Sequence, residues 1–110
     1  MIGLIWNIRG LSKPGKVQCL CDVIAKSNPN FIGFQETKKE IISKDFLRAL
    51  DGKKQFSWHF LPAIGTAGGI LVGLKNDLFD VIGFTNNRFS VRTTIKNKSD
   101  GFLWHLVIVY

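Results

Sequence analysis

The spacing of the hydrophobic residues changes near residue 55, and this change constrains the fold more than any other feature of the chain. Before it, one segment places apolar residues at the i, i+3, i+4 and i+7 positions of an amphipathic helix: Val17, Leu20, Cys21 and Ile24. After it, large apolar residues alternate with their neighbours, as in half-buried strands. Helices confined to the first half and followed by a run of strands predict a mixed α/β fold, with the helices packed on a sheet.

The predicted order of elements is β-α-β-α and then strands only. Residues 1–8 and 31–34 are apolar segments of strand length. The helix between them begins near Ser12 and Pro14 and ends before Asn28, and a shorter helix is predicted over residues 43–50. Later strands are predicted over residues 56–61, 68–74, 79–84, 88–96 and 102–110.

The composition fits one soluble domain and excludes several classes of protein. A chain of 110 residues, 45% of them hydrophobic, has room for one core and no second domain. Its longest aliphatic run, residues 106–109, is far short of the ~20 residues of a membrane span, and no secretory signal precedes it. Cys19 and Cys21 are too close in sequence to bridge, so reduced thiols are expected. We therefore expect an intracellular protein without a membrane partner.

The charge balance favours an acidic polymer as partner. Fifteen Lys and Arg residues against eight Asp and Glu give a net charge of +7. Such a basic domain attracts polyanions, of which nucleic acid is the commonest in cells. The alternative is a basic domain whose charge serves only solubility.

Two polar residues follow buried strands directly, at positions where α/β sheets commonly bind ligands. Asn7 precedes a glycine turn, so its amide either holds a water, a metal-bound oxygen or a phosphate oxygen, or simply caps the turn. Glu36 lies at the end of an apolar strand, where its carboxylate either binds Mg²⁺ or pairs with Lys38 or Lys39. For each of these two residues, the sequence leaves both the ligand-binding role and the purely structural role open.

Five segments occur in an order typical of one family. They are Trp6-Asn7-Ile8-Arg9-Gly10-Leu11, Asn28-Pro29-Asn30-Phe31-Ile32, Gln35-Glu36-Thr37-Lys38, Gly68-Gly69-Ile70-Leu71 and Val109-Tyr110. Together they resemble the opening of the exonuclease–endonuclease–phosphatase superfamily. The resemblance extends over the whole chain and is greatest to the apurinic-type endonuclease domain of plant non-LTR retrotransposons.

The resemblance implies a fold and a set of roles. The fold is the N-terminal half of a four-layered α/β sandwich, with a mixed, mostly antiparallel sheet and two helices on one face. Glu36 corresponds to the metal-binding glutamate and Asn7 to the asparagine that assists the metal and phosphate site. Tyr110 corresponds to the tyrosine that steadies the scissile phosphate. The implied cofactor is Mg²⁺, with Mn²⁺ as the alternative ion, and the implied reaction is phosphodiester hydrolysis.

Part of the family pattern is missing from these residues. The family's Asp-x-Asn pair, its later Asp and its C-terminal Asp-His would lie beyond Tyr110. Residues 1–110 are therefore expected to be a partial endonuclease domain, truncated at its C-terminal side and without significant turnover by themselves. The alternatives are a non-catalytic basic remnant that binds nucleic acid, or a phosphatase of the same fold.

The resemblance also implies partners. They are DNA, and a reverse transcriptase domain in the same polyprotein if the protein is longer, which would place its action in the nucleus. An exposed sheet edge predicts self-association of the fragment.

Overall fold

The computed structural model describes residues 1–110 and contains two helices and seven strands. They are β1 (Gly3–Asn7), α1 (Lys16–Ser27), β2 (Phe31–Gln35), α2 (Lys44–Leu50), β3 (Phe56–Leu61), β4 (Ile70–Lys75), β5 (Phe79–Asn86), β6 (Ser90–Asn97) and β7 (Leu103–Val109). Every helix and strand predicted from the sequence is present, with its ends displaced by a few residues. Neither helix is long and apolar enough to cross a membrane.

The strands form two sheets. The first has four strands in the order β1-β2-β4-β3, in which β1 and β2 are parallel and the other pairs are antiparallel. The second has three antiparallel strands in the order β5-β6-β7. The predicted mixed, mostly antiparallel pairing is confirmed, although periodicity alone does not show that the strands divide between two sheets.

The helices cover one face of the four-stranded sheet. Leu20 of α1 is fully buried there against Ile32, Phe34 and Leu71 of the sheet. The other predicted apolar positions of α1 pack around the same cluster. The Cys21 thiol donates to the carbonyl oxygen of Ala49 at 3.1 Å and so joins α1 to α2.

The other face of this sheet packs on the second sheet. β4 is buried on both faces, because Leu71 points to the helices while Ile70, Val72 and Leu74 belong to the cluster between the sheets. The second sheet contributes Val91, Ile95 and Ile108, among others, to this cluster. The chain therefore has three layers, in the order helices, four-stranded sheet, three-stranded sheet.

Two of the four edge strands, β1 of the first sheet and β7 of the second, lie on the same side of the molecule. β1 pairs only with β2, and β7 pairs only with β6. A Cβ atom added to Gly33 would lie 2.6 Å from Cδ1 of Ile108 and 2.9 Å from Cδ1 of Ile5, so β1 and β7 approach each other over this glycine. Ile5 and Val107 are about half exposed, at 47% and 51%. Such apolar edge strands can pair with another chain, and self-association stays a prediction.

One buried polar group in the second core is unpaired and gives a stability prediction. Thr93 shares the inward face of β6 with Val91 and Ile95, is fully buried, and its hydroxyl has no hydrogen-bond partner. An unsatisfied buried polar group costs about 1–3 kcal/mol. We expect Thr93→Val to raise the free energy of unfolding by about 1–2 kcal/mol in urea denaturation followed by tryptophan fluorescence.

The matched control is Thr94→Val on the opposite face of β6. The Thr94 hydroxyl contacts Nδ1 of His105 at 3.1 Å, so its removal should give no gain in stability. A loss of stability in Thr93→Val would contradict the prediction.

Candidate active site

The loops that follow β1 and β2 run side by side at one end of the four-stranded sheet. The two strands are parallel and in register, with Asn7 opposite Gln35 at their ends. The pairing continues beyond the strands, because the N–H of Gly10 donates to the carbonyl oxygen of Glu36 at 2.8 Å. The local backbone therefore places Glu36 beside the turn that follows Asn7.

The loop after β2 is also held from its other side. The N–H groups of Thr37 and Lys38 donate to the carbonyl oxygens of Gly69 and Gly68 at 3.1 and 2.8 Å. Thr37 is fully buried, and a Cβ atom added to Gly69 would overlap its Oγ1. The glycine pair thus allows a close approach of two backbones.

These loops contain strained backbone. Arg9, Glu36 and Lys38 have φ angles of 56°, 55° and 57°, in the left-handed region that favours glycine. Such conformations cost about 1–3 kcal/mol each and persist where the surrounding structure fixes them, which happens often at functional sites. Three of the chain's five non-glycine residues with positive φ lie in these two loops.

The Glu36 side chain is half-buried and unpaired. Its carboxylate makes no hydrogen bond, and the two ion pairs of the structure are Arg48–Asp45 and Lys98–Asp80. The expected alternative, in which Glu36 pairs with Lys38 or Lys39, is therefore not realised. A negatively charged oxygen donor is left available at the end of the sheet.

The Asn7 side chain takes part in its own turn. Its Oδ1 accepts a hydrogen bond from the N–H of Arg9 at 3.2 Å, which is the capping alternative considered for it. The side chain is exposed, its Nδ2 has no partner, and a carbonyl oxygen has a second lone pair. Capping therefore leaves Asn7 with polar groups for a ligand.

Tyr110 reaches the same end of the molecule from the second sheet. Its ring lies on Gly68, where an added Cβ atom would be 2.6 Å from the phenol oxygen. The ring packs edge to face on Phe89 with 5.7 Å between centroids, and the hydroxyl donates to the carbonyl oxygen of Arg88 at 3.2 Å. Tyr110 thus contacts the glycine that holds the backbone of Lys38.

The three residues singled out in the sequence therefore converge. Asn7, Glu36 and Tyr110 lie around the loops at one end of the sheet, and the side-chain amide of Gln35 donates to the carbonyl oxygen of Val109. This bond ties the end of β2 to the end of β7.

The two histidines are engaged elsewhere. Nε2 of His59 lies 2.7 Å from Oδ1 of Asn86, and its ring stacks on Phe84. His105 contacts Thr94. Neither imidazole has a partner among the residues around Glu36.

The side chains available as ligands restrict which metal ion could bind at this site. No three His, Cys, Asp or Glu residues cluster as metal ligands anywhere in the structure, so at most one other such side chain could join Glu36 here. Mg²⁺ fits such a site, because it is often held by one or two carboxylates while waters and substrate phosphates complete its coordination. The unpaired, half-buried carboxylate of Glu36 is compatible with this kind of binding.

The sequence did not reveal a basic depression beside these loops. Its volume is about 450 Å³, and its lining includes Arg9, Lys13 and Lys38. Of these three cations, the sequence singled out only Lys38, and not Arg9 or Lys13. The sequence signal that would have predicted Arg9 and Lys13 is the presence of two basic residues in the loop after β1.

A family model described as the Endonuclease/Exonuclease/phosphatase family matches residues 4–107. No curated protein sequence matches the chain.

Several solved structures share the fold. The catalytic domain of human Nocturnin with a bound sulfate anion has a TM-score of 0.77 and 15% identity, over 97% of this chain and 48% of that one. The AP endonuclease LMAP from Leishmania major has a TM-score of 0.73 and 20% identity, over 98% and 39%. D. rerio TDP2 complexed with a single strand DNA product has a TM-score of 0.69 and 14% identity, over 97% and 44%. This chain thus spans half or less of the length of each.

The close approach at Gly69 gives a prediction about the scaffold of the site. Gly69→Ala should lower the free energy of unfolding by about 3 kcal/mol, because it combines a left-handed conformation with overpacking against Thr37. Gly15→Ala is the matched control, since Gly15 also has positive φ (77°) but no neighbouring atom within 4 Å. Its expected loss is about 1–2 kcal/mol, from conformation alone. Equal losses in urea denaturation would contradict the packing argument.

Proposed function

The chain belongs to the endonuclease/exonuclease/phosphatase family, and on that premise we propose that it supplies part of a Mg²⁺-dependent site that hydrolyses phosphodiester bonds in DNA. The observation that carries the proposal is the unpaired carboxylate of Glu36, positioned by strained backbone at the end of the sheet. A buried or half-buried carboxylate without a partner is costly, and binding a cation offsets that cost.

Glu36 and Asn7 would hold the metal, with Mn²⁺ as an alternative to Mg²⁺ because it prefers similar oxygen ligands. When bound, the ion would neutralise the charge that develops on the phosphate and the leaving oxygen. The free Nδ2 of Asn7 can donate to a phosphate oxygen. The Tyr110 hydroxyl could do the same if it exchanged the carbonyl of Arg88 for the substrate.

The net charge of +7 supports a polyanionic substrate. Among the structures that share the fold, one is an AP endonuclease and another holds a single strand DNA product. DNA is therefore the substrate that we propose for this site.

Binding of nucleic acid without hydrolysis is the second candidate function. It is favoured by the histidines, since His59 and His105 are both engaged away from Glu36 and neither is placed to activate a water there. We therefore propose that these residues alone have no significant turnover. The further catalytic groups would come from the remainder of a complete domain.

The biological setting proposed here follows from the resemblance stated above. The site would nick target DNA for a non-LTR retrotransposon of the plant type, acting in the nucleus together with a reverse transcriptase domain of the same polyprotein. The motif Gln35-Glu36-Thr37-Lys38 and the basic charge support this setting over a phosphatase acting on phospholipid or inositol phosphate.

Metal binding at Asn7 and Glu36 can be measured in a chain that does not hydrolyse DNA. We expect Mn²⁺ to broaden the amide resonances of residues around Asn7 and Glu36 in the isotope-labelled chain, because a paramagnetic ion relaxes nearby nuclei. Glu36→Gln should abolish the broadening by removing the carboxylate on which the proposed site depends.

The matched control is Glu40→Gln, which removes the same charge from an exposed residue close in sequence. Broadening that survives Glu36→Gln, or disappears equally in Glu40→Gln, would disprove the metal site.

The expected inactivity has its own test. The 110-residue chain should nick supercoiled plasmid no faster in excess Mg²⁺ than in EDTA, because it lacks a group placed to activate water. Mg²⁺-dependent nicking that Glu36→Ala abolishes would show instead that these residues suffice for hydrolysis.

A further inference from the structure

We propose that the groove between α2 and the edge strand β3 binds an extended acidic segment of a partner protein. The segment would pair with the free edge of β3 and place its side chains in a basic, partly apolar depression beside that edge. This interaction goes beyond the function proposed above and does not depend on it.

The groove lies at the end of the first sheet that is remote from Glu36. Phe56 begins β3 and is paired with Lys75, whose N–H donates at 3.0 Å to the carbonyl oxygen of Asn30, just before β2. Glu36 follows the other end of β2. The length of β2 therefore separates the groove from the proposed metal ligands.

The outer edge of β3 has free main-chain groups. β3 pairs only with β4, and the alternate residues of an antiparallel strand direct their N–H and C=O groups to opposite sides. The N–H of Lys75 in β4 points to β2, so its partner Phe56 points away from β4 and donates instead to Oδ2 of Asp51 at 2.8 Å. By the same alternation, the main-chain groups of Trp58 and Phe60 point outward. Neither residue forms a main-chain hydrogen bond outside the sheet, so both are open to a further strand.

The depression beside this edge combines an apolar surface with positive charge. Its volume is about 270 Å³, and its apolar lining consists of Leu47, Phe56 and Trp58. Three cations from α2 and from the loop before β3 complete most of the lining: Lys44, Arg48 and Lys54. An apolar side chain flanked by carboxylates would therefore fit this depression.

The cations of the groove are available to a ligand. Lys44 and Lys54 form no ion pair, and Arg48 contacts only Asp45, at 3.7 Å, in an exposed pair of the kind that contributes little to stability. The one acidic residue of the lining, Asp51, accepts hydrogen bonds from two backbone N–H groups at 3.0 and 2.8 Å. The groove therefore has a surplus of positive charge, which an acidic partner complements.

The open edge favours a polypeptide over the other candidate partners. A peptide strand supplies both donors and acceptors to a sheet edge, whereas the phosphodiester backbone of DNA only accepts and would leave the carbonyl groups of Trp58 and Phe60 unpaired. A second copy of this chain would bring a second set of cations to the same edge. Because alternate residues of a strand share a face, the expected pattern is acidic-x-apolar-x-acidic.

The first test measures the fluorescence anisotropy of a fluorescein-labelled peptide, Thr-Glu-Thr-Ile-Thr-Glu-Thr, with the 110-residue chain. We expect saturable binding to the wild-type chain and affinity about tenfold weaker for K44Q/R48Q/K54Q, because three charge contacts are lost. The matched control, K26Q/R92Q/K96Q, removes the same types of charge from exposed positions outside the groove and should bind as the wild type does. Equal losses in the two variants, or no binding at about 1 mM peptide, would overturn the proposal.

Two N-methylated forms of the peptide test the strand pairing. One carries methyl groups on the backbone nitrogens of Ile and both Glu residues, and the other on those of the last three Thr residues. Because successive N–H groups of a strand point to opposite sides, only one form should lose its affinity, by about tenfold or more. Equal affinity of the two forms would show that charge alone holds the peptide and would overturn the pairing with β3.

The same variants distinguish a peptide from a nucleic acid in the groove. A fluorescein-labelled DNA duplex should bind K44Q/R48Q/K54Q and K26Q/R92Q/K96Q with equal affinity, because both variants lose the same net charge. Duplex affinity that falls only in K44Q/R48Q/K54Q, without any binding of the peptide, would overturn the proposal and assign the groove to nucleic acid.

Discussion

Four backbone hydrogen bonds around residues 36–38 fix the end of the molecule where the candidate site lies. Gly10 and Leu11 donate to the carbonyls of Glu36 and Thr37 from one side, and the carbonyls of Gly68 and Gly69 accept from the other. These bonds continue the pairing of β1, β2 and β4 beyond the ends of the strands. They also offset the cost of left-handed backbone at Arg9, Glu36 and Lys38, which a free loop would relax.

The two-sided burial of β4 links this loop system to the rest of the protein. Because Leu71 belongs to the helix-side core while Ile70 and Val72 belong to the core between the sheets, one strand anchors all three layers. The second sheet is thereby fixed against the first, and Tyr110 is brought onto Gly68.

Opposite charges at this end of the sheet remain separate. Glu36 forms no ion pair with Lys38, although only one residue lies between them, and the depression around Arg9 contains no carboxylate. A paired Glu36 would have weaker affinity for a cation, and a paired Lys38 weaker affinity for a phosphate. The unpaired state therefore suits a site that must bind a metal and an anionic polymer together, as proposed.

The sequence by itself determined the elements and the identity of the main candidates. The helical spacing of Leu20 and its neighbours gave α1, and the polar residues at strand ends gave Asn7 and Glu36, because these signals depend on local periodicity and position. The resemblance to the family supplied Tyr110, which no local pattern marks. Only the tertiary structure decided that the strands divide into two sheets, that Glu36 is unpaired and that Arg9, Lys13 and Lys38 share one depression. These features depend on contacts between residues distant in sequence, and hydrophobic periodicity carries no information about which strand pairs with which.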